Sequence, residues 1–122
     1  MKKIIFLSLI VIFASCSLLK NKVATPTFNP GTGDYTNSVT VNVNCSTLGA
    51  TIYVHRYVTF HTNADLNLPP AVTVSDNWTT YISSLTFTTN TYLVTRVTLY
   101  AYAEKEEMET SSTNSAIYIL RK

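Results

Sequence analysis

Apolar and polar residues alternate strictly in two segments of the chain. In residues 39–45 the odd positions are Val, Val, Val and Cys, while the even positions are Thr and Asn. In residues 97–103 the odd positions are again apolar, and the even positions are Thr and Tyr. Because successive side chains point to opposite sides of a strand, both segments predict strands with one buried and one solvent-facing side. This pattern is typical of antiparallel sheets.

Turn-forming residues divide the rest of the chain into short segments. Pro30–Asp34 and Leu48–Gly49 predict turns, and Asn63–Pro70, which ends in two prolines, predicts a loop. The predicted strands lie near Thr25–Phe28, Val39–Cys45, Ala50–His55, Trp78–Ile82, Leu85–Thr88, Val94–Ala103 and Ser115–Leu120. These strands predict an all-β fold, an immunoglobulin- or fibronectin-III-like antiparallel β-sandwich of about seven strands. The path of residues 55–70 stays open.

The beginning of the chain has the pattern of an export signal. Two lysines precede an apolar run from Ile4 to Phe13, and the tripeptide Ala-Ser-Cys16 follows. A basic start and a short apolar core are typical of a secretory signal peptide, and the run is shorter than the roughly 20 residues of a membrane-spanning helix. Small residues before a cysteine resemble the lipobox of bacterial lipoproteins, in which that cysteine is lipidated and becomes the mature N-terminus. The alternative is an ordinary signal peptide whose removal leaves a free thiol.

This interpretation predicts both the domain boundaries and the location of the protein. The signal peptide spans residues 1–15, a polar tether spans 16–23, and a single domain spans 24–122. Lipidation of Cys16 makes the membrane a partner, because several acyl chains on one protein give stable anchoring. The expected location is the bacterial cell envelope. The absence of Asp after Cys16 favours the outer membrane, and the choice between its periplasmic and its surface side stays open.

The charge of the chain argues against nucleic acid as a partner. The signal peptide carries two of the 9 basic residues, so the remaining basic residues balance the 7 acidic ones. A neutral mature chain has no net electrostatic attraction for a phosphate backbone. The late acidic cluster, from Glu104 to Glu109, is predicted to be the solvated tip of a hairpin.

No pattern in the sequence predicts catalysis, a metal or a cofactor, so we expect that the protein is not an enzyme. Once Cys16 is lipidated, Cys45 has no partner, and its alternation with valines predicts a buried, unreactive thiol. His55 and His61 are about 20 Å apart along a single strand, which prevents shared metal ligation unless a turn intervenes. No Gly-x-Ser-x-Gly motif, glycine-rich phosphate loop or paired catalytic carboxylates occurs.

Several segments resemble the small domain found at the C-terminus of chitobiase and β-hexosaminidase. They are Val23–Pro30 (VATPTFNP), Gly33–Thr36 (GDYT), Val39–Val41 (VTV), Gly49–Tyr53 (GATIY) and Leu99–Ala103 (LYAYA). The resemblance covers roughly Val23 to Leu120 and departs from the family after Tyr53, where the family's Asp-Gly turn is missing. It implies an immunoglobulin-like accessory module without catalytic residues. It also implies that Phe28 plugs the base of the sandwich and that Gly49 forms a tight turn.

Aromatic residues form the one group in the sequence with binding potential. The group comprises Tyr53, Tyr57, Trp78, Tyr81, Tyr100 and Tyr102. Tyr100 and Tyr102 lie about 7 Å apart on one face of a strand, so they are the candidate ligand-binding residues, with Trp78 or Tyr81 beside them. Arg96 shares their parity and supplies a hydrogen-bonding fork. The alternative is that these rings only cover the sheet through cross-strand pairs.

Together these observations predict a non-catalytic, lipid-anchored envelope protein that acts as a binding or structural module. One alternative is a surface adhesin or carbohydrate-binding module that uses exposed tyrosine and tryptophan side chains. A second alternative, suggested by the resemblance, is an accessory subunit of a glycoside hydrolase system. The sequence leaves the identity of a carbohydrate or protein partner open.

Overall fold

The computed structural model describes residues 20–122, so the predicted signal peptide and Cys16 lie outside the described residues. Within this range the chain forms nine strands and no helix, which confirms the prediction of an all-β fold. The strands are β1 (Thr27–Asn29), β2 (Gly33–Thr36), β3 (Ser38–Asn44), β4 (Thr51–His61), β5 (Val72–Ser75), β6 (Thr79–Thr80), β7 (Leu85–Thr88), β8 (Val94–Glu104) and β9 (Asn114–Arg121). None of residues 20–122 belongs to a helix long and apolar enough to cross a membrane.

The strands form two sheets. The smaller sheet has the order β1-β3-β7, and both of its pairs are antiparallel. The larger sheet has the order β2-β9-β8-β4-β5, with the short β6 also paired to β4. All of its pairs are antiparallel except β2 with β9. The long β4 and β8 therefore form the centre of this sheet, with Thr51 opposite Glu104 at one end and His61 opposite Val94 at the other.

The apolar side chains at alternate positions of the strands point inward and form the core between the two sheets. Val39 and Val41 of β3 are buried and pack in one cluster with residues of the larger sheet. Those residues are Val97 and Leu99 of β8 and Ala116, Tyr118 and Leu120 of β9. Tyr118 has the largest fully buried side chain among residues 20–122, and its hydroxyl donates a hydrogen bond to the Pro30 carbonyl oxygen at 2.7 Å. A smaller cluster of Val43, Val54 and Ala101 continues the core, and Phe28 contacts both clusters.

Some element boundaries differ from those expected. β2 begins at Gly33, inside the predicted turn, because residues 33–36 pair in parallel with β9. β5, at Val72–Ser75, was not predicted; its side chains are exposed and its backbone pairs with β4 at the sheet edge. β4 continues through His61 because β8 offers a partner of equal length. The strand expected at Trp78–Ile82 is reduced to Thr79–Thr80, the two residues that form a ladder with β4.

Three further residues, Cys45, Val23 and Gly49, refine the expected boundaries. Cys45 lies just beyond β3 and is half-buried rather than buried, and its thiol donates to the Ala24 carbonyl oxygen at 3.2 Å. Val23 is buried, and its backbone N–H donates to the Glu109 carbonyl oxygen at 2.9 Å, so the last residue of the expected tether is part of the fold. Gly49 has a φ of +75°, a backbone conformation that favours glycine, in the turn before β4.

Candidate ligand-binding face

The outward side of β4 and β8 carries a row of paired aromatic residues. Since Val54 and Leu99 point into the core, the residues of opposite parity point away from it. The register places Tyr53 opposite Tyr102 and His55 opposite Tyr100. Cross-strand neighbours on one face are close enough for side chains to contact, so the alternation within each strand brings four rings together on the outer face of the larger sheet.

The four rings stack in two cross-strand pairs. The ring centroids of Tyr53 and Tyr102 are 5.1 Å apart with an interplanar angle of 18°, and those of His55 and Tyr100 are 5.7 Å apart at 21°. Near-parallel rings at these distances are favourable offset stacks. Burial raises the pKa of the Tyr102 phenol, with smaller effects from the Glu104 carboxylate and Tyr53. Tyr102 is therefore neutral near pH 7.

Trp78 lies over this row from the segment between β5 and β6. Its ring meets Tyr102 edge-on at 4.8 Å and tilts against His55 at 5.4 Å. The pairing of Thr79 and Thr80 with β4 fixes the backbone beside it. His55 is held from the other side, because its Nε2 is 3.0 Å from the Ser75 hydroxyl. The indole remains 43% exposed, so one side of a large ring is free to contact a ligand.

An open groove lies between these rings. His55, Tyr57, Trp78 and Tyr100 line it, its volume is about 340 Å³, and its surface is mostly apolar. Tyr57 forms one wall and is 41% exposed. Small-molecule sites enclose roughly 300–1,000 Å³ and combine apolar walls with a few polar groups, so the groove suits a ligand about the size of one or two rings.

A polar pocket continues the groove toward the end of β4. The two share Tyr57 and Tyr100, and the pocket also measures about 340 Å³. Its floor and its overhanging loop supply the remaining lining residues: Thr59, His61, Arg96 and Thr98 from the sheet, and Leu66, Leu68 and Pro70 from the loop. The Asn63 side-chain oxygen accepts from the Asp65 N–H at 3.2 Å, and the Asp65 carboxylate accepts from the Asn67 N–H at 2.9 Å. These turns give the loop a defined shape.

The pocket contains a cation without a counter-ion. Within residues 20–122 the ion pairs are Arg56 with Asp76 and Arg121 with Asp34, and Arg96 takes part in neither. The His61 ring is buried, its Nε2 lies 3.0 Å from the Thr59 hydroxyl, and its Nδ1 has no hydrogen-bond partner. Buried polar atoms are nearly always paired, so this nitrogen marks an incomplete hydrogen-bonding arrangement beside Arg96.

The structure brings together three of the four expected ligand-binding residues. Trp78, Tyr100 and Tyr102 lie on one face and contact the same aromatic row. Tyr81 lies elsewhere, because it packs against the smaller core cluster and its hydroxyl accepts a hydrogen bond from the Val43 N–H at 3.2 Å. His55 also belongs to the site, although in the sequence it was considered only as a candidate metal ligand.

The described part of the chain has no cluster of side chains that could bind a metal ion. Among residues 20–122, no group of three or more His, Cys, Asp and Glu side chains is placed to hold a metal ion. His55 and His61 lie on the same strand, and each bonds to a neighbouring hydroxyl, of Ser75 and Thr59 respectively. Both histidines thus act as hydrogen-bonding groups on this face.

No protein-family model matches the chain, and no curated protein and no solved structure matches it either. The binding capacity of the face lies in its own residues. These provide stacked aromatic rings, an open apolar groove and a donor-rich pocket next to the groove. This combination is suited to a ligand that has both apolar ring faces and polar substituents.

Proposed function

We propose that the mature chain is a non-catalytic, lipid-anchored module of a bacterial envelope that binds glycans through the outer face of its larger sheet. The observation that supports this most directly is the groove formed by Trp78, Tyr57 and the His55–Tyr100 stack. Trp78 and Tyr57 are both well exposed. Such exposed rings are used in recognition because they combine a flat apolar surface with little conformational entropy to lose.

Sugar rings match the chemistry of this groove. One side of a pyranose ring presents C–H groups that pack on an aromatic face, while its hydroxyl groups point outward at the ring edge. The groove supplies the aromatic face, and the adjoining pocket supplies hydroxyl groups from Thr59 and Thr98 and the guanidinium of Arg96. A glycan of two or more units therefore suits the site, with one ring in the groove and the next in the pocket.

We also propose that the domain is an immunoglobulin-like β-sandwich similar to the C-terminal domain of chitobiase and β-hexosaminidase. Two sheets facing each other across a common core support this proposal. So do the contact of Phe28 with both core clusters and the left-handed backbone of Gly49. In this family the domain is an accessory module, which fits a binding role rather than a catalytic one.

The binding proposal is tested with Trp78→Ala. The full chain, purified in detergent, is screened on a glycan array, and the strongest ligand is then titrated by calorimetry. We expect Trp78→Ala to weaken binding at least about tenfold, equivalent to about 1.4 kcal/mol, because the variant loses the exposed ring. The melting temperature should fall only modestly, because the ring is 43% exposed and its removal costs the contacts with Tyr102 and His55.

Ile82→Ala is the matched control for that test. Ile82 is 89% exposed and follows β6 without lining the groove, so its removal should leave both binding and stability unchanged. An array without any glycan ligand, or equal affinity of the wild type and Trp78→Ala, would contradict the proposed function.

Lipid anchoring is tested at Cys16, which lies outside the described residues. Cells of the native host are fed an alkyne-tagged fatty acid, and labelled protein is detected after purification. We expect the wild type to be labelled and Cys16→Ala to lose all of the label, because the thiol and the new N-terminus at this residue carry the acyl chains. Cys45→Ala is the control and should keep the label. Mass spectrometry showing an unmodified Cys16 in the wild type would refute the anchor.

A further inference from the structure

We infer that the glycan bound by this face is acidic, with a ring carboxylate held by Arg96. This inference rests on the proposed function and adds the class of ligand to it. Its starting point is the continuity of the two cavities, since Tyr57 and Tyr100 line both. A ring stacked in the groove therefore places its substituents, or the next sugar unit, at the pocket that contains Arg96.

The described residues that line the pocket are rich in donors and include no acid. Among residues 20–122, Arg96 is the only Arg, Lys, Asp or Glu that lines the groove or the pocket. A guanidinium has five N–H donors and no acceptor. Its partners must be acceptors, and a carboxylate matches its planar fork through two parallel hydrogen bonds. Neutral sugar hydroxyls would leave the positive charge without compensation.

In the part of the chain that the structure describes, no charged neighbour competes for Arg96. Arg121, at the end of the adjacent strand, is paired with Asp34. Asp65, in the loop above the pocket, is exposed and accepts the Asn67 N–H. Arg56 and Asp76 form their own ion pair, and Arg56 has the opposite parity on β4, on the core-facing side. The free cation therefore attracts an anion from solution.

His61 is a second, independent observation that points to a missing hydrogen-bond partner in this pocket. The ring lines the same pocket, is buried, and leaves Nδ1 without a partner. The Thr59 hydroxyl can donate to Nε2 or accept from it, so the unpartnered Nδ1 is a donor in the first arrangement, the one in which a carboxylate pairs with it. A carboxylate has several lone pairs, so it can accept from Arg96 and from a neighbouring donor at once.

The test compares sugars that differ only in the carboxylate. The full chain in detergent is titrated with a uronic acid oligosaccharide, its methyl ester and its carboxyl-reduced neutral form. Because sialic acids carry the same group, a sialylated oligosaccharide and its methyl ester form a second series. We expect one acidic sugar to bind at least about tenfold more tightly than its neutral counterparts at low salt. The preference should shrink as salt increases, because screening weakens charge attraction.

Variants assign the preference to Arg96. We expect Arg96→Gln to bind acidic and neutral sugars equally, and Arg96→Lys to retain part of the preference, because it keeps the charge without the planar fork. Arg121→Gln is the matched control, since it removes the same charge from the same sheet face outside the pocket. It should keep the full preference, and the melting temperatures of all variants are measured to verify folding.

The outcomes separate the inference from the proposed function. Equal binding of acidic and neutral sugars by the wild type would overturn the inference and leave glycan binding standing. An acidic preference that survives in Arg96→Gln would overturn the assignment to this residue. Failure of every glycan to bind, with Trp78→Ala no different from the wild type, would overturn the proposed function as well.

Discussion

Leu99→Ala is expected to lower the free energy of unfolding by about 2–5 kcal/mol. Leu99 lies in the middle of β8, is completely buried, and belongs to the core cluster that joins the two sheets. The substitution removes apolar contacts and leaves a cavity, because close-packed neighbours relax only in part. For a single domain whose total stability is about 5–15 kcal/mol, this is a large fraction of the total.

Urea denaturation of the wild type and the variant, followed by tryptophan fluorescence, measures this loss. The single tryptophan, Trp78, lies on the outer face and reports the state of the larger sheet. Ile82→Ala removes a similar number of apolar atoms from an exposed position, and we expect it to change stability by no more than about 0.5 kcal/mol. Equal losses in the two variants would show that β8 does not face the core as described.

The strands with clear alternation were the ones that the sequence predicted well. Val39, Val41 and Val43 are buried as their parity indicated, and the bounds of β7 agree with the prediction. The alternation of apolar and polar residues is enough to predict these strands, because each strand has one face in the core and one outside it. β8 was predicted over nearly its whole length for the same reason.

The missed strands depend on partners that are distant in the sequence. β2 pairs with β9, more than 80 residues away, and its four residues include a glycine and an aspartate that are typical of turns. β5 is an edge strand whose side chains are all exposed, so it has no buried face and little pattern. Tertiary pairing, rather than local preference, decides both strands.

In the candidate site, too, strand alternation predicts the positions of some residues, while the positions of others depend on tertiary structure. The parity of β8 was sufficient to place Tyr100 and Tyr102 together on the outer face. Trp78 and Tyr81 are three positions apart, so a strand containing both would direct them to opposite sides. The structure places Trp78 over the aromatic row and Tyr81 against the core. Residues of the loop at 63–70 line the pocket together with His61. The conformation of this loop could not be predicted, because its sequence has no regular alternation of apolar and polar residues.

Tyr118 is expected to make the protein sensitive to alkaline pH. Its ring is fully buried, and its hydroxyl donates to the Pro30 carbonyl oxygen. Burial, with a smaller effect from the neighbouring Tyr35, raises the pKa of the Tyr118 phenol to about 12. Because a tyrosine in the unfolded chain has a pKa near 10, the folded and unfolded states bind different numbers of protons between these two values.

Because of that difference, the stability of the protein falls as the pH rises above 10. Above pH 10 the unfolded state has lost the phenol proton while the folded state retains it, so rising pH favours unfolding. The difference between a pKa near 10 in the unfolded chain and about 12 in the folded protein corresponds to about 3 kcal/mol of stability. This stability is lost progressively between pH 10 and pH 12. At neutral pH this group causes no loss. Urea midpoints measured from pH 8 to pH 12 record the decline.

Tyr118→Phe is the control for this measurement. The variant should lose about 0.5–1.5 kcal/mol of stability at pH 8, because the hydrogen bond to Pro30 is absent. Its stability should decline less steeply than that of the wild type above pH 10. Parallel declines in the wild type and Tyr118→Phe would show that Tyr118 ionises as easily in the folded state as in the unfolded state.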